Sequence, residues 1–256
     1  MPRKAIATAD LPGAGTSTVD PAEIARFAAL AESWWDPMGK FKPLHRLNPV
    51  RLAFLRERLI AHFHRDRTAL RPFEGLRLLD IGCGGGLVAE PMARLGFDVT
   101  GIDAGDETIA TARIHAAQSG LAIAYRAVPA ETLAAAGERF DVVLALEIIE
   151  HVPDLTTFIG AAASLVRPGG AFVAATLNRT AKSYLLAIIG AEYVLGWLPR
   201  GTHDWRKFVR PSELATALRR HRLRIEEIAG VAYNPFGDSW ALSPDIDVNY
   251  MVFATG

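Results

Sequence analysis

Two short stretches of this chain gather side chains that can do chemistry. The first is Asp80-Ile81-Gly82-Cys83-Gly84-Gly85-Gly86, which follows an apolar run and opens a helical one. Glycines there admit positive φ and let a ligand come close to the backbone. A dinucleotide fingerprint starting at Gly82 would need its third glycine at position 87, which is Leu87. The pattern is instead D-x-G-x-G-x-G. It suits a nucleoside-type cofactor whose amine meets Asp80, not one whose pyrophosphate meets a helix N-terminus. Asp103 closes the next apolar run, 103 − 82 = 21 residues past the first glycine, where a carboxylate can accept both ribose hydroxyls. The second stretch is Leu146-Glu147-Ile148-Ile149-Glu150-His151. Its two carboxylates and one imidazole offer oxygen and nitrogen ligands for Mg²⁺ or a similar ion. They equally offer a general base near neutral pH. Both groups also have quieter uses, Glu147 as a cofactor-side contact and His151 as an orienter of its loop. Cys83 reads as a small residue packed in the glycine loop.

Elements that would hold these groups follow from periodicity. Short apolar runs at 76–81, 98–103, 123–127, 140–146 and 171–177 alternate with helical patterns at 88–95, 108–119 and 154–166. That alternation predicts a parallel, doubly wound α/β sheet, with ligands outside the carboxyl ends of its strands. Phe140 to Leu146 is nearly all apolar, as in a strand buried on both faces. A helix at 211–221 and strands at 224–232 and 247–254 complete a mostly parallel, seven-stranded sheet. Before it, Asp20 can cap a helix with Pro21 in its first turn and Glu23 three residues after the cap. Ile24, Phe27, Leu30, Ala31 and Trp34 continue that helix at helical spacing. A linker over 39–49 and a helix over 49–64 follow. The expected organisation is a flexible tail over 1–19, an N-terminal helical cap over 20–75 and a core over 76–256.

Composition narrows the function. The chain has 256 residues, is 50% hydrophobic and has formal net charge 0. That argues against disorder and against holding nucleic acid by bulk charge. A single cysteine excludes an intrachain disulfide framework and points to a reduced, intracellular protein. The segment before Thr18 lacks the apolar run of a secretory signal.

An insertion after the fifth strand, 178–209, breaks the charge balance. From Ser183 to Leu198 the only charge is Glu192. About 16 residues is short of the ~20 needed to span a bilayer. Tyr184, Tyr193 and Trp197, flanked by Arg179, Lys182 and Arg200, suit a helix lying on an anionic membrane surface. A buried lid over the site is the alternative, and one helix can serve both ends.

Over residues 20–256 the sequence resembles the ubiquinone biosynthesis O-methyltransferase family. The likeness is carried by Trp34-Trp35-Asp36, Phe41-Lys42-Pro43-Leu44-His45-Arg46-Leu47-Asn48-Pro49, the glycine loop and Glu150-His151-Val152-Pro153-Asp154. It continues through Thr176-Leu177-Asn178-Arg179, Gly190-Ala191-Glu192-Tyr193, Gly201-Thr202-His203-Asp204 and Asp247-Val248-Asn249-Tyr250-Met251. The glycine loop alone would mark only the wider superfamily.

The resemblance implies a Rossmann-like class I methyltransferase fold and O-methylation of polyprenylated catechol or phenol intermediates. It implies S-adenosylmethionine contacts at Arg51, Gly82 and Asp103, and at Leu146, where relatives carry methionine. Asp80 and Gly84 join that set from the loop itself. It also implies a divalent metal, here magnesium, on Glu147, Glu150 and His151, and membrane association through 178–200. The expected location is cytoplasmic, peripheral to the inner membrane, with other ubiquinone-synthesis proteins as possible partners. His151 would take the hydroxyl proton where it is not itself a ligand. His45, Arg46, Asn178 and Tyr233 are further pocket candidates. Two rivals are a methyltransferase for another small hydroxylated aromatic and a non-catalytic cofactor-binding subunit.

Overall fold

A computed structural model describes residues 18–186, 204–234, 237 and 239–256. Its centre is one sheet in the order β3-β2-β1-β4-β5-β8-β6-β7. The strands are β1 (Arg77–Ile81), β2 (Asp98–Asp103), β3 (Ala124–Ala127), β4 (Phe140–Leu146), β5 (Val166–Leu177), β6 (Arg224–Asn234), β7 (Ser239–Ser243) and β8 (Asn249–Thr255). The first five run parallel, and β8, β6 and β7 add on antiparallel. β4 is buried along its whole length, as its unbroken apolar run predicts.

The strand count corrects the expectation of seven. Ser239–Ser243 adds an eighth strand, pairing with β6 from Gly230↔Ser243 to Asn234↔Ser239. Five residues between turn formers carry too short a signal to read, although Trp240 and Leu242 do alternate.

Helices cover both faces: α1 (Pro21–Ala28), α2 (Lys42–His62), α3 (Ala89–Arg94), α4 (Asp106–Gln118), α5 (Ala130–Ala135), α6 (Leu155–Ser164), α7 (Ala181–Ser183) and α8 (Pro211–Arg220). One core joins Phe54, Leu55 and Leu59 of α2 to Val142 and Leu144 of β4. The other joins Phe158, Ile159, Leu214 and Leu218 to Val143 and Phe172.

α5 was not expected from the sequence, and two of the expected helices take other bounds. α2 starts at Lys42, so most of the expected linker is helical, with Pro49 inside the helix. Pro49 removes the bond to the His45 carbonyl and crowds that turn. Tertiary contacts hold the turn instead: His45 Nε2 meets the Trp34 carbonyl at 2.8 Å, and Asn48 Nδ2 donates to the Leu87 carbonyl at 2.7 Å. α1 ends at Ala28, and a 3₁₀ turn over Ala31–Ser33 follows. Asp20 does cap α1, accepting from the Ala22 amide at 3.0 Å. Glu23 turns away from the cap toward Arg26, His151 and Lys207.

The order β3-β2-β1-β4-β5 reverses direction between β1 and β4. Chain connections leave those two strands toward opposite faces and open a crevice at their carboxyl ends. The glycine loop follows β1, and the Glu147–His151 stretch follows β4.

Candidate active site

The glycine loop is built from backbone bonds that side chains would obstruct. The amides of Gly82 and Cys83 both donate to the Ile102 carbonyl, at 2.8 and 3.0 Å. This pulls the loop across the end of β2. Gly82 has φ 71° and Gly84 has φ 52°, the left-handed region that favours glycine. Asp103 accepts from the Gly84 amide at 3.2 Å and from the Gly105 amide at 2.9 Å. One carboxylate therefore ties the loop to the end of β2. Burial raises its pKa while these amides oppose the rise. Cys83 is buried beside it, and burial pushes its thiol up, so it is packing and not a nucleophile.

Acidic groups form the floor. Asp80, at the end of β1, is buried, and burial lifts its carboxyl to about 7 against the pull of Arg51. Its Oδ2 has no hydrogen-bond partner among the described residues. Arg51 reaches in from α2. It is buried, donates to Asn48 Oδ1 at 3.2 Å and lies 3.8 Å from Glu147 Oε1. Glu147 follows β4 with φ 54°, a strained conformation for a residue with a side chain. Its amide donates to the Ala175 carbonyl at 2.9 Å, which fixes the turn. The Glu147 side chain keeps 23% exposure, that of a cleft rather than of the core. Desolvation and the neighbouring Glu150 carboxylate push its pKa up to about 7. Glu150 is buried; its Oε2 accepts from Thr176 Oγ1 at 2.7 Å, and its Oε1 has no hydrogen-bond partner among the described residues.

Glu147, Glu150 and His151 are not gathered into one ligand set. The two carboxylates face each other, whereas His151 Nδ1 lies 3.3 Å from Glu23 Oε2. Among the described residues no three His, Cys, Asp or Glu side chains are grouped to hold a metal. The facing carboxylates do suit a divalent cation, which would relieve their mutual repulsion and partner the orphaned Glu150 oxygen. Leu146 ends β4 at 7% exposure.

Sequence reasoning missed the roof. Trp34 lies on the glycine loop so closely that a Cβ at Gly85 would fall 2.6 Å from its own Cβ, and one at Gly84 would overlap its ring. Phe41 stacks on Trp34 with centroids 3.8 Å apart. Trp35 Nε1 donates to the Gly85 carbonyl at 2.9 Å, and its ring stacks on His115 at 3.4 Å. The signal was present as paired tryptophans ahead of side-chain-free loop positions, but only the fold joins them. Of the further pocket candidates, His45 serves Trp34, Asn178 donates to the Ile246 carbonyl at 2.8 Å, and Tyr233 packs on Trp240. The insertion is described as far as residue 186, where Tyr184, Leu185 and Leu186 are exposed. Tyr193, Trp197 and Arg200 lie outside the described residues, as do the 190–193 and 201–203 motifs.

Comparison with known proteins places this architecture. A family described as a methyltransferase domain matches residues 52–228. The ubiquinone biosynthesis O-methyltransferase of Paramagnetospirillum magneticum is 60% identical over 92% of this chain and 94% of its own. Its namesake in Parvibaculum lavamentivorans is 59% identical over 94% of this chain and 95% of its own. Magnesium protoporphyrin IX methyltransferase from Synechocystis, solved with bound SAH, superposes with TM-score 0.62 at 17% identity, covering 90% of this chain and 94% of that one. This last likeness is one of fold, the Rossmann-like fold of class I methyltransferases. With a crevice at the strand reversal, a D-x-G-x-G-x-G loop in it and that identity along nearly the whole chain, the protein belongs to the ubiquinone biosynthesis O-methyltransferase family.

Proposed function

We propose that the protein transfers the methyl group of S-adenosylmethionine to a hydroxyl of polyprenylated catechol or phenol intermediates in ubiquinone synthesis. The observation that carries this reading is the meeting of the glycine loop and the acidic floor at one sheet edge, in a chain about 60% identical to relatives of that name. Asp80, whose Oδ2 has no hydrogen-bond partner among the described residues, receives the cofactor's amine, and the amine in turn stabilises the ionised carboxylate. Asp103 accepts the ribose hydroxyls while keeping its hold on Gly84. Gly82, Gly84 and Leu146 bring backbone close to the ligand, and Arg51 closes the site from α2.

A phenol ionises near pH ~10, so the neutral hydroxyl is a poor nucleophile. His151 takes its proton, the oxygen forms the new bond to carbon, and the carbon–sulfur bond breaks to leave a neutral thioether. Alignment of oxygen, methyl and sulfur supplies rate through proximity. Glu147 and Glu150 are the residues that would hold magnesium, which would favour the phenolate form of a catechol and orient it.

The same reading puts the protein against the cytoplasmic face of the inner membrane, in reach of a lipid-dissolved substrate and of other enzymes of the pathway. The exposed Tyr184, Leu185 and Leu186 at the start of the apolar insertion support it. No helix among the described residues is long and apolar enough to cross a membrane.

The deciding assay is methyl transfer to a prenylated catechol, with and without chelator and liposomes. Turnover should require S-adenosylmethionine, fall in chelator and return with Mg²⁺. Activity on short-chain catechols but never on prenylated ones would reassign the substrate. Full activity after complete metal removal would leave His151 as the sole activating group. Charged residues at 185 and 186 should reduce flotation with anionic liposomes; unchanged flotation of the folded variant removes the membrane role.

A further inference from the structure

A closed circuit of contacts leaves the glycine loop, crosses two distant segments and returns to it. Glu90 stands in the first turn of α3, and its amide donates to the Gly86 carbonyl at 3.0 Å. Its carboxylate is buried, at 1% exposure. Oε1 accepts from His115 Nδ1 at 2.6 Å, and Oε2 accepts from Arg94 Nη2 at 3.3 Å. His115, on α4, lays its ring flat on Trp35, with centroids 3.4 Å apart and planes 6° from parallel. Trp35 Nε1 donates to the Gly85 carbonyl at 2.9 Å, one residue before the circuit began. A carboxylate taken out of water is costly unless it is paired. Here the pairing also fixes the imidazole, and the imidazole backs the indole.

We propose that His115 is a positioning residue for cofactor binding, held by Glu90 and acting through Trp35 on the glycine loop. Gly84 and Gly86, on either side of Gly85, have φ 52° and 95°, so this backbone has conformational freedom that a binding-competent loop must give up. The Trp35 bond takes up the Gly85 carbonyl and orients the peptide that follows it. Trp35 comes just after a 3₁₀ turn and is only half-buried, so a stacked ring behind it confines the indole to the loop. A cofactor that meets a loop already set pays less ordering cost than one that must set it. The proposal rests on the reading of the glycine loop as the cofactor's seat. It adds that a carboxylate and an imidazole on α3 and α4 govern the affinity of that seat without touching the ligand.

The test is calorimetric binding of S-adenosylmethionine to the full chain, beside steady-state methyl transfer. His115→Ala should weaken binding about 5–10-fold and leave kcat at saturating cofactor within about twofold. His115→Gln, which keeps a donor for Glu90 but has no ring to stack, should weaken binding at least about threefold. Trp35→Phe removes the donor to Gly85; in that background His115→Ala should weaken binding by less than about twofold, because its route is gone. Arg94→Met, which removes the other tie to Glu90 but leaves the imidazole in place, should bind within about twofold of the parent. Four outcomes overturn the proposal: unchanged binding in His115→Ala or His115→Gln, an equal loss with and without the Trp35 indole, a fall in kcat at unchanged affinity, or an equal loss in Arg94→Met, which would make the circuit a general prop of the fold. A parent that binds no S-adenosylmethionine would remove the cofactor reading, and the proposal with it. A parent that binds it no better than His115→Ala removes the proposal alone.

Discussion

The two walls of the site are built from different materials. On the sheet side, Asp80, Glu147 and Glu150 crowd together with one guanidinium, Arg51, among them, and among the described residues Asp80 Oδ2 and Glu150 Oε1 have no hydrogen-bond partner. On the side of the N-terminal helices, Trp35, His45 and Asn48 each set a ring or amide nitrogen on a backbone carbonyl, and Trp34 is sandwiched between Phe41 and the loop. These three nitrogens are paired, whereas Trp34 Nε1 has no hydrogen-bond partner among the described residues; the roof contributes roughly 1 kcal/mol per neutral hydrogen bond plus its aromatic burial. The floor carries desolvated charge that costs stability until something positive arrives. Stability and chemistry are thus divided between the walls, and each can be perturbed separately.

The largest separation should come from the floor. Glu150→Ala is expected to lower methyl transfer by about 10²-fold or more while leaving cofactor affinity within about threefold. Steady-state kinetics beside calorimetric binding would show this. Activity within threefold of the parent would move the chemistry off the floor.

Roof and loop should show a smaller, structural effect. Trp34→Ala should cost about 3 kcal/mol of stability, as for a buried tryptophan. Gly84→Ala should cost about 1–3 kcal/mol, because its Cβ would overlap the Trp34 ring at a positive φ. Together they should cost less than the sum by more than about 1 kcal/mol, since removing the ring opens the space the methyl needs. Strict additivity in denaturant melts would mean that the roof does not rest on the loop in solution.

The smallest effect is one of pH. Asp80 keeps its proton to about 7 in the folded chain, against ~3.9 unfolded. Across that window the folded state binds more protons than the unfolded one, so stability falls as pH rises from about 4 to about 7. Glu147, also near 7, adds to the same slope. Ligand-free protein should therefore melt a few degrees lower at pH 8 than at pH 5, with a shallower slope in Asp80→Asn. An unaltered slope in that variant would place the linkage elsewhere.

Much of the floor was legible because its parts are local. A strand, a glycine loop and a helix within one βαβ unit announce themselves in consecutive residues, and Asp103 sits at the end of the next strand. Asp20 could be read as a cap because a cap lies beside what it caps, and it does cap. The roof was not legible. Trp35 and Gly85 are fifty residues apart and joined by one hydrogen bond that no spacing rule covers. Glu23 looked like half of a capping box, yet nearby cations and His151 compete for its carboxylate. The helical stretch before Pro49 was hidden because proline's local preference is outweighed by contacts with Trp34 and Leu87.

The sequence by itself determined the parallel α/β core, the glycine loop, the position of Asp103 and the acidic stretch after β4. These rest on hydrophobic period and on glycine's conformational freedom, which act over a few residues. Only the tertiary structure decided that Arg51 stands among the acids, that Trp34 rests on the loop and that His151 turns to Glu23 rather than to the two glutamates. Those choices balance desolvation against charge between groups far apart along the chain. They are settled only when the strands bring those groups to a common edge.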